Sequence, residues 1–74
     1  MVGLSAGAYI QALIQALQFD NSPAVRSAAA KGLRIIGVDS AAAKQALQNA
    51  SQNDNNAEVR RIASKVYNQI MSSD

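Results

Sequence analysis

The side chains able to do chemistry are few: the carboxylates Asp20, Asp39, Asp54, Glu58 and Asp74, and the cations Arg26, Lys31, Arg34, Lys44, Arg60, Arg61 and Lys65. The 74-residue chain contains no cysteine and no histidine, which removes thiolate nucleophiles, disulfides, imidazole acid/base catalysis and the common zinc ligand sets. Asp20 and Asp54 recur at equivalent points of the sequence, each opening a polar turn. A carboxylate doing general acid/base work needs a partner that tunes its proton affinity. With neither histidine nor a metal-ligand cluster beside them, these aspartates read as turn and capping residues, favoured by the positive end of the helix that follows. The glycines, Gly3, Gly7, Gly32 and Gly37, share no spacing that could cradle a phosphate. No catalytic residue, metal or cofactor is implied.

The net charge of +2 is a mild excess that permits an acidic partner without demanding one. Nucleic acid is permitted but not indicated, because so few cations without interleaved aromatics give only salt-sensitive, non-specific binding. The first eight residues carry no positive charge, and the apolar run Ile10 to Leu17 is broken by Gln11 and Gln15, so neither a signal peptide nor a membrane span is read. The default expectation is cytoplasmic.

Those charges must be positioned by helices. Tyr9, Ile10, Leu13, Ile14 and Leu17 fall at helical spacing and predict a first helix over about Ser5 to Gln18. Asp20-Asn21-Ser22-Pro23 is a turn in which Ser22 or Asn21 caps a second helix starting at Pro23 and reaching about Ile36. Gly37 is expected as a left-handed C-terminal cap, after which Asp39 or Ser40 caps a third helix to about Ala50 or Gln52. Asn53 to Asn56 is a second turn cluster, and a fourth helix runs from about Ala57 to Met71. The expectation is an all-α fold: one domain over 1–74, with four helices forming two tandem antiparallel hairpins.

A displacement of 34 positions superimposes Ala8/Ala42, Gln11/Gln45, Ala12/Ala46, Leu13/Leu47, Ala16/Ala50 and Gln18/Gln52. It also superimposes Asp20/Asp54, Asn21/Asn55, Val25/Val59, Arg26/Arg60, Ala29/Ala63, Lys31/Lys65 and Ile36/Ile70. Alanine bias alone would not align the turn and the Val-Arg pair as well, so the chain reads as two repeats, about 5–37 and 39–71.

The shared pattern, an aspartate, four residues, then Val-Arg and an alanine-rich helix, resembles the HEAT repeat, in the short bacterial form also seen in phycobilisome lyase subunits. The first copy has Pro23 and Gly37 where that family places them, whereas the second has Ala57 and Met71. A tetratricopeptide repeat has similar length but expects an aromatic early in its first helix and a tyrosine soon after; here Tyr9 stands alone. The resemblance implies an α-α superhelix that binds protein and is not an enzyme. It also implies that Arg26 and Arg60 join Asp20 and Asp54 in a ladder between repeats, and that the second helix of each hairpin lines a concave surface. On that surface Lys31, Arg34, Arg61, Lys65 and Asn68 form a mildly basic strip, the candidate site for a protein partner with an acidic segment. Other readings are an accessory subunit of a bilin lyase-like assembly, acting as scaffold, and a terminal fragment of a longer solenoid.

Differences between the copies add a polarity. Ile10, Ile14 and Leu17 become Lys44, Gln48 and Ser51, and Ile35 becomes Gln69. The apolar versions are expected to pack beneath the second repeat, and their polar counterparts to meet water as a C-terminal cap. The N-terminal edge, with Ala8, Ala12 and Ala16 and with Val2 and Leu4 nearby, is small and apolar. It is either a closely packed face or a place for upstream repeats or self-association.

Overall fold

The computed structural model describes residues 5–72. They form four α-helices, α1 (Ala6–Phe19), α2 (Pro23–Ile36), α3 (Ala41–Asn53) and α4 (Ala57–Met71). Val2 and Leu4 lie outside the described residues.

Each helix starts on a polar side chain that accepts an otherwise unpaired first-turn N–H. Ser5 accepts from Ala8, Ser22 from Val25, Ser40 from Ala43, and Asn56 from both Glu58 and Val59. Pro23 occupies the first turn of α2, where a missing N–H costs nothing. α1 and α3 end alike: the backbone N–H groups of Asp20 and Asp54 close on the Ala16 and Ala50 carbonyls, and both residues then turn extended.

Gly37 differs from expectation. Its φ of −102° is not left-handed, and no residue among those described has positive φ. Glycine is required for space instead. A Cβ at this position would stand 2.7 Å from the Leu33 carbonyl oxygen and 3.0 Å from the Ala43 Cβ, where α3 crosses the end of α2. Gly32 plays a milder version of this role, since a Cβ there would come within 3.1 Å of Leu13 on α1.

α1 packs on α2 and α3 on α4, while α2 lies against α4 and α1 against α3, giving two layers of two helices. The core includes Ile14, Leu17, Leu33, Leu47, Val59, Ile62, Val66 and Ile70, together with the alanines 29, 30, 43, 46, 50 and 63. Alanine at so many buried positions lets helix axes approach closely, which compensates in contact for what the small side chains lack in area.

Equivalent positions show which faces are covered. Val25 is 42% exposed and Ile36 40%, whereas Val59 and Ile70 are at 0% and 5%. Tyr9, Ala12 and Ala28 are likewise exposed where Ala43, Ala46 and Ile62 are buried. In the opposite sense Ile14, Leu17, Ala30 and Leu33 are buried, and Gln48, Ser51, Ser64 and Tyr67 are exposed or half-buried. Repeat 1 thus covers one face of repeat 2 and is covered by it on the other. Ile35 does not follow the expectation that repeat 2 would bury it. It is 71% exposed, because it sits on the outer face of α2 beside Lys31 and Arg34 and not on the face turned toward the core.

Candidate functional site

α2 and α4 run side by side and leave a groove of about 400 Å³ on their outer face. α2 contributes Lys31, Arg34 and Ile35; α4 contributes Ile62, Lys65, Val66 and Gln69, at spacings that keep all four on one side of the helix. Ile62 and Val66 are buried and form the floor, while Lys31, Arg34 and Lys65 are exposed at the rim. None of these three cations is in a salt bridge among the described residues. The groove is therefore an apolar trough edged by three positive charges.

The other two residues of the basic strip behave differently. Arg61 forms a two-pronged pair with Glu58, each N–O distance being 2.7 Å, with both side chains more than half exposed. The hydrogen bond from Arg61 holds the Glu58 carboxyl below its ordinary range against a partial desolvation, and the charges of Arg61 and Lys31 act in the same direction as the bond. Glu58 in turn raises Arg61 above its ordinary value. Arg61 thus carries its own counter-charge. Asn68 is exposed on α4 but does not line the groove. The residues that sequence reasoning missed are Ile35, Ile62, Val66 and Gln69. Their i, i+3, i+4 spacing from the cations was a usable signal, since Ile62 and Val66 flank Lys65.

The turn charges form a separate, structural cluster. Arg26, only 8% exposed, reaches from repeat 1 to repeat 2, its Nε and Nη2 donating to the Asp54 carboxylate at 3.0 and 3.2 Å. Nη2 also donates to the Asn55 side chain, and Nη1 to the Asp20 carbonyl oxygen. Oδ1 of Asp54 accepts the Asn56 N–H, and Oδ1 of Asp20 accepts the Ser22 N–H, both at 2.9 Å. Arg60 donates through Nη1 to the Asp54 carbonyl oxygen at 2.6 Å, as Arg26 does to that of Asp20. Both oxygens of Asp54 are engaged by these donors, so neither is turned toward open solvent or a substrate. Among the described residues no group of three or more potential metal ligands converges.

This geometry is that of a repeat whose turn aspartate receives an arginine from its neighbour, and the family model for HEAT repeats matches residues 3–67. The chain belongs to the HEAT repeat family. HEAT repeats commonly serve as protein-interaction scaffolds and are typically non-enzymatic. The match is to HEAT repeats at large and does not show the finer likeness to phycobilisome lyase subunits. No curated protein and no solved structure matches the chain. No described helix of this HEAT protein is long and apolar enough to cross a membrane.

Proposed function

We propose that this HEAT protein is a non-enzymatic interaction module whose α2–α4 groove takes an acidic, amphipathic segment of a protein partner. The observation that carries the reading is the pairing of an apolar floor, Ile62 and Val66, with a rim of three cations that are in no salt bridge among the described residues. An apolar side chain of the partner would fill the trough, and carboxylates beside it would meet Lys31, Arg34 and Lys65. The buried contact supplies affinity, and the exposed charges set orientation and association rate. Arg61, held by Glu58, and Asn68 flank this site and contribute less than the sequence strip implied.

The test is capture of partners on immobilised protein, identification by mass spectrometry, and titration of the captured segment against the triple variant Lys31→Glu/Arg34→Glu/Lys65→Glu. Removing attraction and adding repulsion at three exposed positions is worth about 1 kcal/mol each, so binding should weaken ~100-fold. The wild-type affinity should also fall as salt shortens the screening length. Unchanged binding by the triple variant would remove the groove from consideration.

A further inference from the structure

We propose that copies of this chain associate head to tail, with α4 of one copy seated against α2 of the next and Arg60 bridging to Asp20 of that second copy. This rests on the inter-repeat geometry and is independent of the groove.

The contact between the two repeats is its own template. Moving one repeat along carries Arg26 to Arg60, and a second copy in the same register would place its Asp20 where Arg60 needs the counterpart of Asp54. The atoms for that bridge are already posed. Arg60 is anchored through Nη1 to the carbonyl oxygen of its own turn, as Arg26 is, and among the described residues its Nε and Nη2 have no acceptor. Asp20 is anchored through Oδ1 to the Ser22 N–H, as Asp54 is to Asn56, and its Oδ2 has no donor among the described residues. Arg60 and Asp20 thus hold half of the bond pattern that Arg26 and Asp54 complete.

The two outer faces differ in size from those that meet within the molecule. On the forward face Leu33 and Gly37 are replaced in repeat 2 by the larger Tyr67 and Met71; on the receiving face Ile62 and Val66 are replaced in repeat 1 by the smaller Ala28 and Gly32. Ala28 is exposed and leaves room, but the direction a Gly32 Cβ would take is filled by Leu13 of the same copy, and Met71 would face Tyr9 where Gly37 faces Ala43, so the copies stand further apart at that crossing than the two repeats do. The polar stripe of α3, Lys44, Gln48 and Ser51, does not prevent association. Within the molecule the corresponding Ile14 and Leu17 are buried, whereas the wider spacing imposed by Met71 and Tyr9 would leave Gln48 and Ser51 in contact with water between copies that meet mainly through α4 and α2. A heterologous contact of this kind repeats without closing, giving short chains of copies.

Sedimentation from ~10 μM to ~1 mM spans the affinities expected of a contact this small. The mass should rise with concentration above the 7.8 kDa of one chain. Asp20→Arg and Arg60→Asp should each remain single chains, and an equimolar mixture of the two should associate again, because each then meets an opposite charge. Ala28→Glu, at an exposed position outside the core, should abolish association while the circular dichroism spectrum stays helical. A single 7.8 kDa species at every concentration would overturn the proposal, as would association that survives Asp20→Arg and Ala28→Glu.

Discussion

Asp20 and Asp54 share a sequence context and a local bonding pattern, yet only Asp54 receives an arginine, across 3.0 Å, from the neighbouring repeat. Both side chains of that bridge are about nine-tenths buried. Losing one member leaves a buried charge without its partner, which costs about 3–5 kcal/mol, whereas the pair as a whole adds far less over an apolar substitute. Asp54→Ala is therefore expected to destabilise the protein by about 3 kcal/mol or more, and Asp20→Ala by only about 1 kcal/mol, the worth of its bond to the Ser22 N–H. Urea unfolding of the two variants at a concentration low enough to keep chains separate makes the comparison. Equal losses would mean that the Arg26–Asp54 bridge contributes no more than an ordinary turn bond.

At the level of the helices, polar caps and alanine-lined contacts set where each element begins and how near it lies to the next. Gly37 sits where α3 crosses the end of α2, against backbone oxygen and a short side chain that cannot swing aside. Gly37→Ala should cost about 2 kcal/mol by overpacking. Gly32→Ala meets only the flexible end of Leu13, and its gain in helix propensity of about 1 kcal/mol offsets the crowding. Thermal unfolding should place Gly32→Ala within a few degrees of the wild type and Gly37→Ala clearly lower; the reverse order would refute this account of the two glycines. The helix starts were readable because Ser, Asn and Pro act on their nearest neighbours. The role of Gly37 was not, because its constraint comes from Ala43, on another helix.

Across the whole molecule, one core runs through all four helices, from Ile14 and Leu17 on α1 to Val66 and Ile70 on α4. Each repeat buries apolar residues against the other, so the two should unfold together. The chain's two tyrosines, Tyr9 on α1 and Tyr67 on α4, report on the two repeats separately when the other is changed to phenylalanine. Fluorescence unfolding of Tyr9→Phe and Tyr67→Phe should give transitions that each coincide with the loss of helical circular dichroism. Transitions that separate would show the repeats to be independent units. The same mutual burial makes the faces unequal: the receiving face of repeat 1, with Tyr9, Val25 and Ile36, is apolar and uncovered by the described residues, while the forward face of repeat 2 is largely polar.

Properties carried by near neighbours and by repetition were legible in the order of residues alone. Four helices followed from apolar spacing and caps, the two copies from a constant displacement of 34 residues, and the absence of histidine and cysteine restricted the chemistry. Tertiary structure alone decided which members of a helix face meet across elements. It separated Lys31, Arg34 and Lys65, which share a groove, from Arg61, whose charge Glu58 takes up, and from Asn68, which lies beside it. It turned Ile35 outward where comparison of the copies had placed it inside. Helical periodicity gives the direction of a side chain around its own axis, but burial depends on where the next axis lies, and that is set by the packing of all four helices together.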